Sequence, residues 1–300
     1  MKLFLRRISQ ARVSFSVGSS GASASALFEA EKEIAQLQAA TRESLACHDF
    51  KAAQSSADSC LEATIALLGK DHVAYAAALN NVSQVHRAAG RLTDALPFAE
   101  DAVRTYERVA GKTHPSTAAA LSNLGLLRVA IGSASSGVSK LDHAAAAVEL
   151  LEAALSARRT AATGGPDIGV GVALYQLASA VRLAKDLTRA ESLTNEAIAV
   201  LRSVAGPKSP ITATALNNLG FLLKARGAYA RAEAAYLEAL TLRRAALGEA
   251  HQDTLITAHN IAECRRAAGN EEGAVAMQRD ILRVLGHPED ETPPAINTLR

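Results

Sequence analysis

The 300-residue chain has no tryptophan, and aromatic residues make up 4% of it although 49% is hydrophobic. A core built on alanine and leucine suits closely packed helices. It argues against a β-sandwich, whose strands draw on aromatic and β-branched side chains. Cys47, Cys60 and Cys264 are the three cysteines, with no CxxC pair among them. Three thiols at such spacing give neither a disulfide framework nor a zinc site, and they read as small buried residues. No run of 18 apolar residues occurs, which predicts that no helix spans a membrane. The phosphate-binding and hydrolase patterns GxxxxGK[ST], GxGxxG, HExxH and GxSxG are also missing. Nothing in the chain suggests catalysis, a metal or a cofactor.

Acidic residues are missing from one place in particular. Residues 1–28 carry Lys2, Arg6, Arg7 and Arg12 and no acid, and the first acid is Glu29. The net charge of +2 therefore belongs to the N-terminus. Without those four cations, 28 Lys and Arg face 30 Asp and Glu, a body of about −2. A near-neutral body does not suggest nucleic-acid binding. The segment "MKLFLRRISQARVSFSVGSSGASASALFEA" is basic and serine-rich, and Leu3, Leu5, Ile8 and Val13 interleave with its arginines. That is the composition of a mitochondrial transit peptide, with cleavage expected between about Arg12 and Ala26. Arg6 and Arg7 directly follow Phe4 and Leu5, so the continuous apolar core of a secretory signal is absent.

What the chain does contain is a repeat of 42 residues. His72 recurs as His114, Asn81 as Asn123 and Gly90 as Gly132. Further on, Leu174 recurs as Leu216, Asn218 as Asn260 and Gly227 as Gly269, while Gly164, Gly206 and Gly248 form one series. The two blocks are offset by 53, and the excess of 11 falls at "SASSGVSKLDH" after Gly132, which predicts an enlarged loop there. Each unit opens on a turn such as "GKTHPST", continues with apolar residues at helical spacing, stops at a glycine and starts a second apolar helix. Units at about 28–69, 70–111, 112–164, 165–206, 207–248 and 249–286 predict an all-α fold. Its form is a right-handed α-solenoid of five to six antiparallel helix pairs. The first unit, with its weak opening helix, is a terminal unit. The acidic, proline-containing tail "HPEDETPPAINTLR" at 287–300 is expected to be disordered.

At "LNNLGFLLKARGAYARAEAAYLEAL" the unit resembles a tetratricopeptide repeat. The residues that carry the likeness are Leu216, Leu219, Gly220, Leu223, Gly227, Ala232, Tyr236 and Ala239. The period of 42 and the "HP.T" turns resemble the kinesin-light-chain type of repeat, over roughly residues 48–285. The pattern departs at His48 and Lys185, which stand where glycine is expected, and at Ser209-Pro210, which replaces His-Pro. The heptad region of a motor subunit is absent, which speaks against a motor role.

The resemblance implies that the first helix of each unit lines a concave groove. The inward positions are then Asn80, Asn81 and Arg87; Ser122, Asn123 and Val129; Tyr175, Gln176 and Arg182; Asn217, Asn218 and Lys224; and His259, Asn260 and Arg266. One ladder is amide-rich and the other is basic in four of five units. A primary amide both donates and accepts, so it can pair with an extended peptide backbone. The cations favour an acidic segment or a C-terminal carboxylate. The other reading of the amides is structural: each bonds the neighbouring unit's helix end and holds the superhelix together. His72, His114 and His251 stand one repeat apart, too distant to share a metal, and read as turn caps.

The function expected from this is a non-catalytic protein-interaction scaffold or assembly factor in mitochondria, serving respiratory-complex assembly and gripping an extended, acidic segment. Two other readings are a cytosolic cargo adaptor of kinesin-light-chain type and an organellar RNA-binding repeat protein.

Overall fold

The computed structural model describes residues 20–162, 167–206 and 208–286. Among them are twelve α-helices and no strand. They alternate as α1 (Ser20–Ala46) and α2 (Phe50–Leu67), α3 (Val73–Ala88) and α4 (Leu92–Val109), α5 (Pro115–Ala134) and α6 (Gly137–Ala161). Next come α7 (Ile168–Leu183) and α8 (Leu187–Val204), α9 (Pro210–Ala225) and α10 (Tyr229–Leu247), α11 (Gln252–Ala267) and α12 (Glu271–Leu285). Most of the expected transit segment and the whole expected disordered tail at 287–300 lie outside the described residues. α1 begins at Ser20, upstream of the expected boundary at 28.

Two compact units divide within α6, at Ala157 and Arg158. In the first, α3 packs on both α2 and α4, and odd-numbered helices also meet: α1 with α3, and α3 with α5. In the second, α7 to α12 repeat the scheme, with α7 meeting α9 and α9 meeting α11. Each unit is therefore a short α-solenoid with an inner row of odd-numbered helices.

The turn motif has a physical basis. Gly111, Gly206 and Gly248 hold φ of 92°, 84° and 88°, a conformation that glycine adopts at no steric cost. Six residues on, the hydroxyls of Thr117, Thr212 and Thr254 donate back to those glycine carbonyls at 2.7, 3.5 and 2.8 Å. Between them, the Nδ1 atoms of His114 and His251 accept from the backbone N–H two residues later, at 3.1 Å each. His72 does the same at 3.2 Å. The histidines are helix N-caps, as the sequence predicts.

The helices of a pair close through a small residue. A Cβ on Gly220 would lie 2.7 Å from the Tyr236 ring, and one on Gly125 would lie 2.6 Å from Leu151. Tyr236 is fully buried against α9. Burial pushes its phenol well above the ordinary range, with the nearby Cys264 adding to this.

The expected loop after Gly132 is helix. α5 has 20 residues against 16 in α3, and α6 has 25 against 18 in α4. The 11-residue excess is thus four and seven residues of added helix. Gly132 stays buried within α5, and the break comes at Ser135, where Gly137 opens α6 with φ 61°. Although no run of 18 apolar residues occurs in the chain, α5 could cross a membrane by length and composition alone. Its only charge is Arg128. Leu121, Leu124, Leu127 and Ile131 lie in the core of the first unit, which accounts for the apolarity without a bilayer.

Two outcomes follow for stability. Gly220→Ala forces a methyl into the Tyr236 ring and should cost about 1–3 kcal/mol in urea unfolding; an unchanged midpoint would show that α9 and α10 can separate freely. Lys185 sits at φ 70° at the position where Gly90, Gly227 and Gly269 stand in three other units, so Lys185→Gly should raise stability by about 1 kcal/mol. A loss instead would mean that the side chain carries a stabilising contact.

Candidate binding face

Every inner-face position named from the sequence lies on an odd-numbered helix. Most are half-buried; Arg87 is exposed and Ser122 is buried. The amides do not reach for helix ends, as the structural reading expected. They pair with each other. Asn123 Nδ2 donates to Asn80 Oδ1 at 2.9 Å in the first unit. Asn260 Nδ2 donates to Asn217 Oδ1 at 3.0 Å in the second. In both rungs the asparagine at the second inward position of one repeat donates to the asparagine at the first inward position of the repeat before.

The remaining positions behave differently. Asn81 and Asn218, also at second inward positions, make no hydrogen bond among the described residues. Gln176 keeps a buried Oε1 and Ser122 a buried Oγ, neither with a partner among the described residues. Tyr175 packs against the buried cluster of Ile198, Leu201, Ala213 and Leu216, and burial raises its pKa. His259 is half-buried, and its pKa is pushed down chiefly by desolvation; the cations Lys224 and Arg266 push the same way and Glu263 opposes them.

The basic ladder is equally uneven. Arg266 is neutralised in place by Glu263 and by Glu271, the latter at 3.4 Å. Val129 interrupts the ladder with an apolar side chain. Arg87, Arg182 and Lys224 form no ion pair among the described residues. The Arg182 guanidinium carbon lies 4.7 Å from the centre of the Phe221 ring, a cation–π distance. Burial lowers the Arg182 pKa. Beside this stack is a concavity of about 150 Å³, lined by Ser179, Arg182, Asn217, Asn218, Phe221 and Leu222 among others.

Sequence reasoning missed Phe221, Ser179 and Glu263, which share one repeat position on α9, α7 and α11. They lie three or four residues beyond the amides and so on the same helix face. Extending the inward face by that step would have found them. Also missed was Arg243 of α10, buried where the preceding repeat has Leu201. Its Nη1 donates to the Asp253 carbonyl at 2.8 Å and to the Thr257 hydroxyl at 2.6 Å, and its Nη2 to the Thr214 hydroxyl at 3.3 Å. It joins α9, α10 and α11 and takes no part in the inner face. Among the described residues no three His, Cys, Asp or Glu side chains group as a metal site.

Comparison with known proteins agrees with this geometry. A family model described as tetratricopeptide repeat matches residues 169–245 and 211–285, and a second of the same description matches residues 76–116. No curated protein matches by sequence. Among solved structures, BtubC (BKLC) from P. vanneervenii is 21% identical, with a TM-score of 0.58 over 89% of this chain and 96% of its own. A putative kinesin light chain with nearly identical TPR-like repeats from Podosopora anserina is 17% identical, with a TM-score of 0.58 over 72% and 96%. NprR in complex with its cognate peptide NprX is 14% identical, with a TM-score of 0.60 over 96% and 75%; its apo form is that of a quorum sensor from B. thuringiensis. With tetratricopeptide-repeat models together matching more than half of its length, the chain belongs to the tetratricopeptide-repeat family.

Proposed function

We propose that the chain is a non-catalytic interaction scaffold that grips an extended, acidic segment of a partner protein on its inner helix faces. The observation that carries this is the pair of cations Arg182 and Lys224, which no acid among the described residues neutralises. Arg182 lines an open concavity together with the unpaired amide of Asn218, and Lys224 follows one turn beyond Phe221 on α9. A half-buried guanidinium without a counter-ion is costly to desolvate, and an incoming carboxylate offsets that cost. The fold has a peptide-bound neighbour in NprR with NprX, which supports a peptide as the ligand class. The place we assign is the mitochondrion. That assignment rests on the acid-free, arginine-bearing sequence at 1–28.

A peptide array of acidic and amide-substituted sequences, probed with the full chain, tests the groove. Reversing Arg182 and Lys224 to glutamate should lower retention of acidic peptides by about tenfold or more at 0.1 M salt. Raising the salt should weaken wild-type retention in the same direction. Retention that ignores both changes would overturn the acidic-segment reading. For the address, replacing Lys2, Arg6, Arg7 and Arg12 with alanine should abolish uptake by isolated mitochondria. Unchanged uptake, or no uptake of the wild-type chain, would remove mitochondria from the proposal.

A further inference from the structure

The amide ladder is interrupted between α7 and α9, and there the interruption coincides with the concavity. In the two closed rungs, the asparagine at the second inward position of a repeat donates to the asparagine at the first inward position of the repeat before it. For α7 and α9 the same relation would join Asn218 to position 175. That position holds Tyr175, whose side chain is packed into the cluster around Leu201 and Leu216. Asn218 is left with its amide unpaired among the described residues. At this same step the concavity opens, and Arg182 lies over the Phe221 ring.

The next step along the inner row shows the opposite arrangement. Glu263 stands at the repeat position of Phe221, and Arg266 at that of Lys224. There Glu263 pairs with Arg266 three residues on in its own helix, and Glu271 adds a second carboxylate. At α7–α9 an aromatic ring takes the place of the acid. The ring makes a cation–π contact with the Arg182 guanidinium and accepts none of its N–H groups as a carboxylate would. No acidic residue lines the concavity.

We infer that the α7–α9 concavity binds one side-chain carboxylate of an aspartate or glutamate in the partner segment. Arg182, placed over the Phe221 ring, supplies the guanidinium N–H donors, and the Asn218 amide supplies a second donor. The closed rungs Asn80–Asn123 and Asn217–Asn260 hold neighbouring helices together and contribute little to selectivity. This deepens the groove-binding reading and rests on it.

The test is a nuclear magnetic resonance titration of the full chain with three pentapeptides. One is Ala-Ala-Glu-Ala-Ala blocked at both ends, the second is its glutamine counterpart, and the third is pentaalanine with a free C-terminus. The Glu peptide should shift the Asn218 side-chain amide and the Arg182 Nε–H. The Gln peptide should bind about tenfold more weakly, the loss expected for one charge-assisted hydrogen bond. Arg182→Gln should make the two blocked peptides equivalent. Equal shifts by the Glu and Gln peptides on the wild-type chain would overturn the inference, and that comparison needs no variant. A response to the free-terminus peptide alone would overturn it too, by assigning the site to a chain end. If peptides move the amides of Asn81 or Asn123 but leave Asn218 and Arg182 still, this site fails and the wider groove reading survives. If no inner-face resonance moves with any peptide, both fail.

Discussion

The constraint on which the rest depends is the close approach of the two helices within each pair. It is set at one position of the inner helix, filled by Ser83, Gly125, Ala178, Gly220 and Ala262 in successive repeats. These are small residues, so the outer helix can send a side chain of variable size into the gap. Tyr236 fills it against Gly220, and Leu151 against Gly125. At Ser83 the hydroxyl bonds the Ala95 carbonyl of the outer helix at 3.0 Å, so even the polar variant closes the pair. Once the pair is closed, its two turn glycines and its cap fix where the chain leaves, and the next pair must stack on it.

That stacking explains why the asparagine pair is tolerated in the middle of a helix. Asparagine is a poor helix former because its side chain competes for backbone groups. Here two of the pairs are drawn away from the backbone by each other, at 2.9 and 3.0 Å across repeats. Each such bond is worth about 1 kcal/mol, enough to offset the propensity loss of the residues that make it. The amides of the closed rungs are therefore structural first. Asn81 and Asn218 lie outside these rungs and make no hydrogen bond among the described residues.

Much of this was legible in the sequence because a period of 42 is a one-dimensional signal. The glycine stops, the histidine caps and the left-handed positions of His48 and Lys185 all follow from matching one unit to another. The third pair was misread for a related reason. Gly132 matches the stop glycines, yet it stays buried inside α5 because the core residues around it continue the helix. What could not be read were contacts between different positions of different repeats. The Arg182–Phe221 stack and the triple bond set of Arg243 each join residues whose alignment columns look independent.

Those contacts share a property with consequences for function. The asparagine rungs join residues 43 apart, and Arg243 bridges Thr214 and Thr257, again 43 apart. Outer-helix ion pairs in the second unit are also nearest-neighbour: Arg159 with Glu196 at 2.7 Å, Arg202 with Glu238, and Arg226 and Arg231 with Glu191. Exposed as most of them are, each adds at most about 1 kcal/mol. Every polar tie is thus confined to one step between adjacent repeats, and stability accrues step by step. A step can then lose its own tie at small cost, because its neighbours keep theirs. The α7–α9 step has done so: Tyr175 removes an amide rung and adds apolar packing in its place, and the polar groups left over are those that line the concavity. In a globular core, an unpaired amide and an unneutralised arginine so close together would threaten the whole fold. In a repeat array they destabilise a single interface, and that local tolerance lets a binding site be written into one step without rewriting the rest.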